Sequence, residues 1–215
     1  MSERPARTPE NYNRIRVVDS FAAMCGDDFA AGENALLLPR RLTGAFNLLA
    51  WRLTADDWND REAVLKSYAG PRLHRIFGHA AQQILTDMEM LQEHGYRPEL
   101  RVVRKGRYPS SVLNYHVDRG SCRIICCYND PVTRALRNED AVPADPKRAN
   151  GSFRAKEGAL PFAFHAGDIW RHKAVPLDDE GNLANRMAEA FIHCAPRIGA
   201  WANPRLMLVG EYTRR

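Results

Sequence analysis

The hydrophobic pattern of this 215-residue chain changes once, at Gly95, and that change limits the folds open to it. Before it, Leu73, Ile76, Phe77, Ala80, Ile84, Met88 and Leu91 recur at three- and four-residue spacing, the period of a helix with one apolar face. Pro71 suits the start of that helix and His94-Gly95 its end, because glycine takes the left-handed stop without a Cβ penalty. After it come short segments rich in β-branched and aromatic residues: LRVVR (100–104), SVLNYHV (111–117), CRIICCY (122–128), FAFH (162–165), DIWRH (168–172), MAEAFIHC (187–194) and RLMLVGEY (205–212). Gly, Pro, Asn and Asp separate them, as they separate strands. Helices first and short strands afterwards predict an α+β fold, a β-sandwich or jelly roll buttressed by N-terminal helices.

A single domain is expected over 1–215, with an extended arm at 1–20, a mainly helical part at 21–96 and a strand-rich core at 97–215 that carries the site. Within the helical part, ALLLPRRLTGAFNLLAWRL predicts a short strand and then a helix around 42–53. TADDWNDREAVLKSY (54–68) predicts another helix, with Thr54 as its cap and acidic residues in its first turn,. The polar stretches 137–158 and 175–185 read as long loops, of the kind that often form lids or binding loops.

Composition excludes several classes. At 45% hydrophobic and 27% charged, the chain is not of the disordered type,. No apolar run approaches the roughly 18–20 residues that span a bilayer. The polar start MSERPARTPENYNRIR lacks the apolar stretch of a secretory signal, so a cytoplasmic location and no membrane contact are expected,. Five cysteines without a CxxC pair form neither a disulfide framework nor a zinc ribbon,. The net charge is +5 and 26 of the 31 basic residues are Arg, which suits anion binding and equally suits a GC-rich coding sequence. No basic run exceeds two residues, so nucleic acid is a permitted partner with little support,.

The residues that can do chemistry begin with His116-Val117-Asp118. In a strand, i and i+2 share a face, so the imidazole and the carboxylate converge. Two His and one carboxylate with open positions form the facial ligand set of non-haem Fe(II) oxygenases. A third ligand is offered by His193, on one face with Glu189 and Phe191. Twelve residues later Arg205 opens an apolar strand and shares a face with Met207 and Val209, where its guanidinium can clamp a dicarboxylate. His172 with Arg186, fourteen residues on, is a competing pair, and His165 a weaker third choice. His74 and His79 have no second ligand one turn away and read as structural.

The ordered set of His116-x-Asp118, the Gly167-Asp168 turn, His193 and Arg205 resembles the Fe(II)/2-oxoglutarate-dependent dioxygenase superfamily. More locally, YHVDRGSCRIICCYNDPVT (115–133), GD (167–168) and IHCAPR (192–197) are similar to a family of uncharacterised bacterial proteins. Those carry HxD, a strand ending in Tyr with a Gly-Pro-Gly-Thr-like turn, and His-Arg-Ser-Pro before a final strand. The likeness covers roughly 100–212, and the chain departs from it at 129–133 and at Cys194-Ala195.

The resemblance implies a double-stranded β-helix core with Fe(II) held by His116, Asp118 and His193. It implies 2-oxoglutarate as cosubstrate with its far carboxylate on Arg205, and Tyr128 or Arg123 assisting. Residues 123 and 128 have opposite parity, so they cannot both face inward on a regular strand. O2 and an unidentified substrate would complete the reaction, with succinate and CO2 as products. Two other classes stay open: a cupin-like metal-binding module without turnover, and a basic nucleic-acid-binding protein.

Overall fold

The apolar stripe before Gly95 forms α4 (Gly78–Glu93), with Ala80, Ala81, Ile84, Leu85, Met88 and Leu91 buried. Gly95 ends it at a φ of 80°. The helix starts later than the sequence suggests. Ile76 lies in the preceding turn and is exposed, because the His74 ring Nδ1 accepts the backbone N–H groups of Ile76 and Phe77 and turns the chain there. The structure is a computed structural model that describes residues 12, 14–26, 28–55, 61–70, 74–104, 110–120, 122–144, 152–175, 189–199 and 202–212. Pro71, Leu73, Arg186 and most of the 175–185 stretch lie outside the described residues.

The other elements before Gly95 are β1 (Ile15–Val17), α1 (Phe21–Gly26), β2 (Ala35–Leu38), α2 (Phe46–Ala55) and α3 (Arg61–Ala69). Thr54 is not a helix cap. It lies in the last turn of α2, and its hydroxyl donates to the Trp51 carbonyl at 2.7 Å. The expected arm is in part a strand, since β1 pairs in parallel with β2.

After Gly95 come β3 (Tyr96–Val103), α5 (Ser110–Leu113), β4 (Tyr115–His116), β5 (Arg123–Cys127), β6 (Arg134–Leu136), β7 (Ala141–Pro143), β8 (Ser152–Ala155), β9 (Phe162–Ala163), β10 (Ile169–His172), β11 (Ile192–Cys194) and β12 (Arg205–Tyr212). The stretch read as one long loop at 137–158 therefore carries two paired strands, β7 and β8. Residues 111–113, read as strand, belong to a short helix, α5. The segment 187–194 is a strand only from Ile192.

The fold is mixed α+β, with two six-stranded sheets that are antiparallel apart from the β1–β2 pair. One runs β1-β2-β10-β5-β12-β3 and the other β7-β8-β4-β11-β6-β9. Alternation distributes the side chains. Ile124 and Cys126 of β5, Leu206 and Leu208 of β12, and Ile169 of β10 pack with α1–α4 in one core. Ile125, Cys127, Met207, Val209 and Trp170 point the other way and meet Ala135 and Phe162 of the second sheet and Phe191 just before β11. Behind that sheet, Val117, Leu136, Phe153 and Ile192 form a third cluster. Gly210 lets α4 approach the first sheet, since a Cβ there would lie 2.8 Å from Leu91 Cδ2.

A candidate metal centre between the two sheets

His116 and His193 sit opposite each other on the antiparallel β4–β11 pair, with ring centroids 4.5 Å apart. Asp118 follows β4. Its carbonyl accepts the Val175 N–H at 2.8 Å, and Gly120 N–H donates to the Val175 carbonyl at 3.0 Å. These bonds hold the turn after β4 against the end of β10, so the carboxylate swings towards the two rings. One ligand atom from each of His116, Asp118 and His193 lies within 4.8 Å of the others, a grouping compact enough to converge on one cation.

The rings are oriented for that task. The His116 Nδ1–H donates to the Asn114 carbonyl at 2.9 Å, and the His193 Nδ1–H to the Phe191 carbonyl at 3.3 Å. A carbonyl only accepts, so Nδ1 carries the proton in each and the Nε2 lone pair is left for a metal. These Nε2 atoms are 3.7 and 3.9 Å from the Asp118 carboxylate oxygens. Burial lowers the His193 pKa to about 3 against the pull of Asp118, which keeps the ring a lone-pair donor at neutral pH. Burial alone would raise the Asp118 pKa. The hydrogen bond from His172, the electrostatic interactions with the His193 and His172 rings and the Arg123 guanidinium outweigh it and hold the carboxyl well below its usual range.

His116, Asp118 and His193 open onto a cavity of about 280 Å³ that Arg205 and Arg123 also line. Arg205 is 1% exposed. Its guanidinium donates to Thr133 Oγ1 at 2.5 Å and to Cys127 Sγ at 2.9 Å. The approach of Thr133 is organised by Asn129, whose amide donates to the Pro204 carbonyl and accepts the Leu206 N–H. The turn after β5 is thereby tied to the start of β12. Ile125, Met207 and Val209 supply apolar wall.

The structure separates the two residues of opposite parity. Arg123 lines the cavity and pairs with Asp118 at 3.0 Å and Glu211 at 3.4 Å. Tyr128 points into the helical core, stacked on Phe46 with ring centroids 5.4 Å apart. Its hydroxyl donates to Asp87 Oδ2 at 2.7 Å. Asp87 also takes Arg40 and Gln83, so Tyr128 belongs to a buried polar network on the far side of the sheet from the cavity.

His172 is fully buried on β10. Its Nε2 contacts Asp118 Oδ2 at 3.0 Å, and it is not a member of the three-residue cluster. His165 is half exposed beside Asp168. Trp170 fills the space between the sheets, stacked on Phe164 at 4.2 Å. Arg171 and Lys173 lie over the Phe29 ring.

Arg101, Val112, Ile125, Thr133 and Ala195 also line the cavity and were not singled out from the sequence, nor was Cys127, whose Sγ accepts from Arg205. The parity of β5, with Arg123, Ile125 and Cys127 in phase, signals Cys127. A turn residue such as Thr133 has no such signal.

Compared with known proteins, the chain matches no family model, no curated protein and no solved structure.

Proposed function

We propose that this protein is an Fe(II)- and 2-oxoglutarate-dependent dioxygenase that oxidises, most simply by hydroxylation, a substrate still to be identified. The observation that carries the reading is the convergence of His116, Asp118 and His193 on one cavity that also holds the buried Arg205. Two imidazoles and one carboxylate suit a divalent iron and leave open positions. Both Nδ1 atoms are occupied by backbone carbonyls, which fits the donor set to a metal rather than to a hydrogen-bonded core.

The order β3-β12-β5-β10 in one sheet and β4-β11-β6-β9 in the other supports a double-stranded β-helix, since chain-distant strands alternate across both sheets,. Iron bound there would activate O2 as the oxidant, with 2-oxoglutarate as the co-reductant that leaves as succinate and CO2.

The chain's own residues supply position. His116 and His193 present Nε2, and Asp118 supplies the negative charge that a divalent cation needs. Arg205 offers a fixed guanidinium to the distal carboxylate of the cosubstrate, a geometry suited to bidentate pairing. Thr133 holds that guanidinium through its Oγ1. Met207, Val209 and Ile125 exclude water from the same space and strengthen the charge interactions inside it. Five free cysteines favour a reducing compartment, the cytoplasm,.

The test is turnover in air: Fe(II)-loaded protein with 2-oxoglutarate forms succinate in the absence of added substrate, and His116→Ala and His193→Ala do not. Metal binding with no response to 2-oxoglutarate would assign the protein to metal-binding modules without turnover. Tight, salt-sensitive nucleic-acid binding that survives both substitutions would assign it to nucleic-acid-binding proteins.

A further inference from the structure

We propose that His172 is a positioning residue for the metal centre: it holds Asp118 Oδ2 through an Nε2 hydrogen bond and leaves Oδ1 as the oxygen that meets the ion. The inference rests on the metal-site reading above and deepens it. His172 would otherwise count as a fourth ligand, since its ring centroid is only 4.9 Å from that of His193.

The ring nitrogens separate the two roles. His116 and His193 use Nδ1 on a carbonyl and keep Nε2 for a metal. His172 does the reverse. Its Nε2 is engaged at 3.0 Å with Asp118 Oδ2, and its buried Nδ1 has no hydrogen-bond partner. An ionised carboxylate only accepts, so the proton of that contact sits on His172 Nε2, and a protonated nitrogen does not ligate a metal.

Arg123 also reaches Asp118 Oδ2, at 3.0 Å. It is a weaker anchor, because its side chain is 31% exposed and is shared with Glu211, and exposed ion pairs contribute little. His172 is 0% exposed, on a strand paired on both sides by β2 and β5. Its ring packs near Phe191, with centroids 5.5 Å apart. With both donors on Oδ2, Oδ1 is the oxygen free of them and lies 3.7 Å from His116 Nε2, while His193 Nε2 sits 3.9 Å from Oδ2. That arrangement fixes one-oxygen coordination and preserves the open positions that the chemistry needs.

The experiment is Co(II) titration of the full chain, wild type against His172→Phe, His172→Leu and His172→Gln, read by the visible d–d spectrum, with folding checked by thermal melting. Phe and Leu are two independent non-donors, so one misfolded variant leaves the comparison intact. Gln can donate to the same oxygen. The non-donors are expected to bind Co(II) about 10–100-fold more weakly, as losses of outer hydrogen bonds to metal ligands do. They should also change the spectrum, as Asp118 becomes free to chelate with both oxygens. His172→Gln should recover most of the affinity and the wild-type spectrum. Wild-type affinity and spectrum in a folded non-donor variant would overturn the positioning role. Equal loss in the Gln and non-donor variants would overturn it in favour of direct ligation. Failure of the wild type itself to bind Co(II) would remove the metal-site reading, a result distinct from both.

Discussion

His116 and His193 are direct cross-strand partners, and each turns its Nδ1–H onto the carbonyl two residues before it, Asn114 and Phe191 respectively. The same local device on two strands points two Nε2 lone pairs at one place, with the Asp118 carboxylate within 3.9 Å of both. Few structural roles ask for such a pair of matched tautomers, whereas a metal site does.

Metal binding should therefore stabilise the protein. A ligand at about 100 times its Kd adds about 2.7 kcal/mol, and for a domain of this size each kcal/mol moves Tm by about 2–4 °C. Thermal melting with Fe(II) under argon, or with Co(II), should show a rise of about 5–10 °C. His116→Ala should abolish that rise, and chelator should reverse it in the wild type.

Arg205 carries the cosubstrate half of the account. Arg205→Met removes a guanidinium whose charge-assisted hydrogen bonds contribute about 1.5–3 kcal/mol each. The half-saturating 2-oxoglutarate concentration should rise about 10–100-fold while Co(II) affinity stays at the wild-type value. Arg205→Lys should fall between the two, because an ammonium keeps the charge and loses the fork.

Tyr128→Phe gives the opposite pattern. Its hydroxyl meets Asp87 in the helical core, so the substitution should lower stability in urea by about 1.5–3 kcal/mol. Half-saturating 2-oxoglutarate should not change. A loss of cosubstrate binding without a loss of stability would return Tyr128 to the site.

Alkali should weaken the fold. Burial pushes the Cys25 thiol from 9.0 up to about 12, and burial pushes the Tyr115 hydroxyl from 10.0 up to about 12. The folded chain keeps protons that the unfolded chain releases, so the unfolded state gains as pH rises. Stability tied to these two groups is complete below pH 9.0 and is lost between 9.0 and about 12. Tm measured against pH should hold level to the start of that window and then fall, and Cys25→Ala should delay the fall.

Much of this arrangement was legible in the residue pattern. Strand parity put Arg205 in phase with Met207 and Val209, and these three line the cavity together. The same parity separated Arg123 from Tyr128, and the structure supplies the partners that decide which faces in. Asp87 could not be read as Tyr128's partner, because it lies 41 residues away inside an otherwise apolar helix face. The β7–β8 hairpin was hidden because an edge ribbon with exposed Arg154 and Pro143 lacks the apolar alternation of a core strand. His172 was visible only as a rival ligand. Which of its nitrogens is used depends on the placement of Asp118, 54 residues earlier.

The proposed function requires one cavity to bind a divalent iron through His116, Asp118 and His193 and a 2-oxo dicarboxylate through Arg205. Its most direct measurement is the visible absorption of the Fe(II)-loaded protein, without oxygen, on addition of 2-oxoglutarate. A new metal-to-ligand charge-transfer band, absent in His193→Ala and needing more 2-oxoglutarate in Arg205→Met, is the predicted result. A spectrum unchanged by 2-oxoglutarate in protein that has bound iron would contradict the claim.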